Sequence, residues 1–400
     1  MRQPEVTVLF ADCGVRALRA KPSDSSRSAS RVDPGVPVAY SSGMHRDPRY
    51  FLPTPSLRVC LPLIPLILLL PLGGRAAEWK DIATPLLERL TNSGAKFGYP
   101  GGCSGVVVDR LTGDVTIKVI GAGLWRSADQ GKNWQRVDGG TIGGRDETGW
   151  TTSADAEHPA RIVSFSLDGL AGWAPDGVHW HAFTDLGRNW DFGSVDWAST
   201  PPKTVLAAKH ETSPPGEVCL SLDAGATWTK LSIHLNAARE KISMVGVMDA
   251  STLIYGKGDG IWRSTDQGAT WAQVSTENAQ TRVPVLFQGR HYLGTAHGLL
   301  VSRDHGVTWA GQGEAVSIWQ GPFFGATAQD IAVVGEAGLS ISRDGGAHWT
   351  HAASLKPKQG TYLFTANWFG CYAWDPVHGI FYASSMGNPV YALRLDDGAR

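Results

Sequence analysis

An eight-residue phrase recurs along this 400-residue chain, and the interval between its copies predicts an all-β fold, a seven-bladed β-propeller. The copies are SADQGKNW (127–134), SLDAGATW (221–228), STDQGATW (264–271), SRDHGVTW (302–309) and SRDGGAHW (342–349), with a degenerate one, WAPDGVHW, at 173–180. Their aspartates, Asp129, Asp176, Asp223, Asp266, Asp304 and Asp344, stand 47, 47, 43, 38 and 40 residues apart. An interval of about 40 to 45 residues suits one four-stranded blade. Two other observations agree. The 48 glycines and 16 tryptophans can supply many tight turns and a large aromatic anchor per unit, and no long segment carries a helical period. A closed ring of repeats also allows a chain of this length to form one large unit.

Taken in order, residues 1–57 are rich in Ser, Pro and Arg without periodicity, and read as a disordered extension or an over-extended gene start. Arg58 then precedes a fourteen-residue apolar run, Val59 to Leu72, with Gly74 and Ala76 at the small positions that a signal peptidase reads. The run is short and broken by prolines, so 58–77 is expected to be a signal peptide with its cleavage region rather than an uncleaved anchor. Met44 would give that peptide a conventional length. The mature chain, 78–400, would then be secreted or periplasmic, with no integral membrane span.

From there each repeat reads as strand, tight turn, strand, as in GAGLWRSADQGKNWQRV and GDGIWRSTDQGATWAQV. The Asp carboxylate can accept N–H bonds from residues just after it, the Gly can take positive φ, and the Ser hydroxyl adds a local bond. The Trp then leaves the turn as an apolar anchor, and six of them are expected to wedge between units and supply much of the core. In the second unit FTDLGRNW (183–190) competes with the degenerate copy, and even spacing favours Asp176. The tail 362–395 holds three strand-like runs without the phrase, which makes a seventh blade. A strand from just after residue 78 is expected to complete the ring, since only closure removes exposed edges.

Three cysteines follow the leader, Cys103, Cys219 and Cys371. A disulfide between Cys103 and Cys371 would staple the first unit to the last; the alternative is three buried thiols acting as small hydrophobes.

The pattern Ser-x-Asp-x-Gly-x-Thr-Trp resembles the Asp-box signature of sialidases, sortilin-type receptors, xyloglucanases and a plant photosystem assembly factor. The resemblance runs through six copies over about residues 97–352. It implies Asp-box turns between the strands of most blades, at the outer edge, with Asp129, Asp223, Asp266, Asp304 and Asp344 structural. It does not imply sialidase chemistry. That family holds a carboxylate with three arginines, and only Arg145 stands where an inner strand begins; Arg126, Arg263, Arg303 and Arg343 lie in or beside the boxes. The family's Arg-Ile-Pro phrase is absent as well. Xyloglucanases carry two such propellers around a cleft, and this chain has one.

Chemistry in a propeller is sought in the stretches leading into each inner strand. GGRDETGW (143–150) offers Arg145, Asp146 and Glu147; SVDWAS (194–199) offers Asp196 and Trp197; AAKHETS (207–213) offers His210 and Glu211. SIWQGPFFG (317–325) and TANWFG (365–370) add Trp319, Gln320, Asn367 and Trp368. Aromatic rings beside amides and carboxylates suit sugars, whose apolar faces stack while their hydroxyls need directed hydrogen bonds. Asp146, Glu147, Asp196 and Glu211 are the carboxylates from which an acid and a base or nucleophile for glycoside hydrolysis would be drawn. The other seven residues are expected to bind ligand. No cofactor is expected, and scattered histidines without paired spacing give no metal site. A net charge of -1 with dispersed Lys and Arg argues against nucleic acid. The expected partner is therefore a glycan or polysaccharide met by a monomer, with an extracytoplasmic protein held by a non-catalytic scaffold as the competing reading.

Overall fold

A computed structural model describes residues 78–400 apart from 185–188, 213–215, 234–240, 358–363, 368 and 396–400. The segments 1–57 and 58–77, with their expected extension and signal peptide, lie outside the described residues. Among those residues no helix is long and apolar enough to cross a membrane.

Seven four-stranded antiparallel sheets form the blades of a ring. The inner strands are Cys103–Val108, Thr152–Ala154, Trp190–Val195, Met244–Val247, Val285–Phe287, Gln320–Phe324 and Gly370–Asp375, for blades one to seven. Six blades are continuous in sequence. The seventh takes its outer strand, Lys80–Asp81, from the start of the described chain, with Lys80 opposite Ala392 and Asp81 opposite Tyr391. A nine-residue helix, Thr84–Asn92, follows that strand and buries Leu86; it is too short to have carried a helical period that the sequence reading could separate from a loop.

The middle strands are apolar on both faces because each blade is covered on two sides. Strand alternation sorts their residues: Val205 and Ala207 of blade three join Phe165 and Trp173 of blade two, while Leu206 and Ala208 join Val245 and Tyr255 of blade four. Seven apolar clusters result among the described residues, one at each junction between neighbouring blades.

The recurrent phrase forms the turn from third to fourth strand. Asp266 Oδ1 accepts from the Thr270 N–H at 2.9 Å and the Ser264 hydroxyl at 2.7 Å, while Oδ2 accepts from the Thr270 hydroxyl at 2.6 Å. Gly268, at φ +86°, donates its N–H to the Ser264 oxygen at 2.8 Å. The bond from Thr270 Oγ1 leads in holding the Asp266 carboxyl down to about 2. Asp129, Asp223, Asp304 and Asp344 repeat this geometry. Asp176 occupies the matching turn of blade two, accepting from the N–H groups of Val178 and His179.

One sequence expectation is corrected in part, and one open alternative is decided. Among the turn tryptophans only Trp134 and Trp180 are buried, at 9 % exposure, while Trp228, Trp271, Trp309 and Trp349 are half-buried at the rim. All six pack at blade junctions, as expected, but the most deeply buried rings there are those of strand residues such as Trp190 and Trp374. The three cysteines are free, buried thiols, so no disulfide joins Cys103 to Cys371. The junction of blades seven and one is closed by packing and by main-chain bonds, including Cys103 N–H to the Asn388 carbonyl at 2.9 Å. Cys371 Sγ takes part by accepting from the Val106 N–H at 3.3 Å, and burial pushes its thiol up to about 12.

Candidate functional site

The loops preceding the inner strands share one face of the ring, and the segment GGRDETGW divides its charges there. Asp146 turns inward. Its Oδ1 receives Lys118 Nζ at 2.7 Å, and the same ammonium donates to Ser164 Oγ and the Phe165 carbonyl, both at 2.8 Å. Neither side chain of the pair is exposed. Burial pushes Asp146 up and Lys118 down, with each opposing the shift of the other. Gly105 makes room, since a Cβ there would stand 2.2 Å from Asp146 Oδ2. Asp146 therefore holds blade one to blade two, with no opening to ligand.

Glu147, the next residue, faces a cleft of about 180 Å³ that it shares with Asp191, His210, Glu211, Lys241 and Arg282. Thr151 Oγ1 fixes the loop by accepting from the Glu147 and Thr148 N–H groups, at 3.2 and 3.0 Å, and donating to the Asp191 carbonyl at 2.6 Å. His210, in the connection between the second and third strands of blade three, places Nδ1 2.6 Å from Asp191 Oδ1 and Nε2 3.7 Å from Glu211 Oε2. Glu211 takes φ +42°, a left-handed conformation that glutamate seldom adopts. Burial raises Glu147, and the charges of Asp191 and Glu211 add to that, while His210 and Arg145 oppose it. Asp191 is raised by burial too, against the hydrogen bond from His210 and the charges of Arg282 and Lys241.

Arg145 reaches the Asp168 carboxylate and the Tyr99 carbonyl, and its main chain pairs with Leu167. It stitches two loops together and acts on Glu147 through charge alone. Tyr99 itself is 72 % exposed.

Asp196 and Trp197 stand at the other end of blade three's inner strand, five residues beyond Asp191 and so about 16 Å away along the strand. They line a separate cavity of about 410 Å³ inside the ring, with Trp150, Asp155, Arg161 and His291. Asp196 Oδ1 caps its own turn by accepting from the Ala198 N–H at 2.9 Å. Asp109, Asp155, Asp249 and Asp375 do the same at the ends of four other inner strands. This second repeat gives Asp196 a turn-capping role.

Gln320 is buried and saturated. Its Nε2 donates to the Ala366 and Gly370 carbonyls at 2.8 and 2.7 Å, and its Oε1 accepts from the Tyr372 N–H at 2.9 Å, which ties blade six to blade seven. The half-buried Trp319 ring packs at the same junction, and its carbonyl receives Trp150 Nε1 at 3.0 Å. Blades two and six are not neighbours, so this bond crosses the axis and caps the channel with the Trp150 ring. Asn367 is half-buried in the loop leading to blade seven, and Trp368 lies outside the described residues.

The structure thus brings together Glu147, His210 and Glu211 and sets the other described sequence candidates outside the lining of this cleft. Sequence reading missed Asp191, Lys241, Arg282 and Thr151. Arg282 does lie in a stretch leading into an inner strand and Asp191 is the second residue of one, but each is flanked by a residue that reads as packing, Val283 and Trp190.

No family model matches the chain. It is 29 % identical over 208 residues to a xyloglucanase of a Paenibacillus species, across 46 % of this chain and 19 % of that protein. It is 28 % identical over 213 residues to a probable oligoxyloglucan-reducing end-specific xyloglucanase of Neosartorya fischeri, across 46 % of this chain and 24 % of that protein. The matched region thus spans under a quarter of the length of either curated relative. Among solved structures, an ancestral GH74 enzyme aligns over 81 % of this chain and 47 % of its own, at 17 % identity and a TM-score of 0.42.

Proposed function

We propose that this propeller binds a polysaccharide at the cleft formed by Glu147, Asp191, His210 and Glu211, and that the half-buried carboxylates of Glu147 and Asp191 give it the means to hydrolyse a glycosidic bond. The observation that carries the reading is the convergence of three carboxylates from neighbouring blades on one open cleft. Burial favours the protonated form of Glu147, as a general acid requires, and His210 orients Asp191 as the partner base or nucleophile. Tyr99 offers an exposed ring on the same face for an apolar sugar surface. The two curated relatives, both named as xyloglucanases, support a polysaccharide ligand. We further read the recurrent turns as Asp boxes and the chain as an exported monomer.

The test is binding of the full chain to a polysaccharide panel that includes xyloglucan, with new reducing ends measured in the same samples. Glu147→Gln should retain binding and lower release by about 10²- to 10⁴-fold, as loss of a general acid does. Binding without release would leave a carbohydrate-binding propeller. Silence across the panel from folded protein would remove the glycan reading and favour the protein-interaction scaffold.

A further inference from the structure

Arg282 brings to the cleft a chemistry that its carboxylates leave unused. It lies in the stretch before the inner strand of blade five, lines the cleft, and sets its guanidinium over the Phe192 ring, 5.6 Å from the centroid. Of the five N–H donors a guanidinium carries, one is committed among the described residues, Nη1 to the Ser243 carbonyl at 3.0 Å. Among the described residues it forms no ion pair. Asp191 lies close enough for its charge to act on Arg282, but its carboxylate is engaged by His210 at 2.6 Å. Lys241 adds a second cation to the same cleft. A guanidinium taken partly out of water with donors open calls for a planar anion, and the ring beneath it with the Ser243 carbonyl preset its plane.

We propose that Arg282 receives the carboxylate of an acidic sugar, so that the ligand of this cleft is a uronate-containing polysaccharide rather than a neutral one. This rests on the reading of the cleft as a glycan site and narrows it. A uronate suits the whole cleft because it presents one carboxylate to Arg282 and several hydroxyl donors to Glu147, Asp191 and Glu211. A peptide carboxylate would satisfy the guanidinium and leave most of those acceptors without donors.

The experiment is calorimetric binding of the full chain to three probes: a galacturonan oligosaccharide, its fully methyl-esterified form, and a xyloglucan oligosaccharide. The acid should bind about ten- to a hundredfold more tightly than the ester, the range for one hydrogen-bonded charged contact. Added salt should shrink the contrast, Arg282→Gln should erase it, and Arg282→Lys should restore part of it. Equal binding of acid and ester overturns the proposal and leaves the glycan site standing. Preference for the xyloglucan probe does the same. Binding of no glycan removes both, and an Arg282-dependent affinity for a peptide with a free C-terminus would then identify the ligand as protein. If Arg282→Gln unfolds, the wild-type contrast and the Lys variant still decide.

Discussion

Replacing Lys118 by Met would leave the Asp146 carboxylate in the wall between blades one and two with no counter-ion. Neither side chain of the pair reaches solvent, so the charge cannot be rehydrated without opening the junction. Stranding one partner of a buried pair costs about 3 to 5 kcal/mol. The double variant Lys118→Met/Asp146→Leu removes the stranded charge, and two former partners keep other bonds: Ser164 Oγ stays 2.8 Å from Thr152 Oγ1, and Ser166 Oγ stays 2.6 Å from the Gly143 carbonyl. The Phe165 carbonyl loses its best donor, at a cost of about 1 kcal/mol. The double variant should therefore lie about 2 to 4 kcal/mol above the single one in stability, a coupling that a double-mutant cycle in urea, followed by tryptophan fluorescence, would resolve. If single and double variants unfold together, or if Lys118→Met costs under about 1 kcal/mol, the pair does not carry charge in a dry junction and the argument fails.

Three further outcomes are expected. Trp190→Ala, at a fully buried site beside Phe165 and Trp228, should cost about 3 to 5 kcal/mol, and the half-buried Trp271→Ala about half as much; denaturant midpoints in the reverse order would refute the placement of the core. Gly193→Ala should cost about 1 to 3 kcal/mol, because a Cβ there would stand 2.2 Å from the Phe165 ring of the preceding blade, and an unchanged melting curve would contradict that close approach. The carboxyls of Asp129, Asp223, Asp266, Asp304 and Asp344 are held at about 2, below their ordinary 3.8. The unfolded chain then binds more protons in that interval, so their contribution is complete above about pH 4 and is lost as pH falls toward 2. Urea midpoints that stay flat from pH 4 to 2.5 would count against it, and Asp304→Asn should reduce the slope.

The ring was legible because its repeated signal is local. Ser264, Asp266, Gly268 and Thr270 satisfy one another within seven residues, so the turn is written into one short phrase and needs no partner strand to be recognised. Six blades followed from that period, the seventh from the strand-like runs of the tail, and the closing strand from the need to leave no exposed edge. The cleft was only half legible, for the opposite reason. Glu147, His210, Lys241 and Arg282 come from four separate connections and Asp191 from the start of an inner strand, and each in isolation is an ordinary polar residue; ring closure makes them neighbours. Asp146 and Glu147 show the limit most sharply. Adjacent in sequence and equal in charge, they point to a dry junction and to an open cleft, and only the register of blade two against Lys118 separates them. Asp196 stood out as a charge among apolar residues, yet its counterparts Asp109, Asp155, Asp249 and Asp375 form a second period that was open to view along the same chain.

The pairing of Lys80–Asp81 with Tyr391–Ala392 sets a timetable for a ribosome. Blades one to six can each complete their sheets as they emerge, in order, from contiguous sequence. The strand made first among the described residues waits for the blade made last, and until then the ring stays open, with the apolar flanks of blades one and six uncovered. Chaperone demand during synthesis should therefore peak late, and a pause or premature stop before residue 391 would release a chain with nearly all its blades built and two bare ends able to join those of another copy.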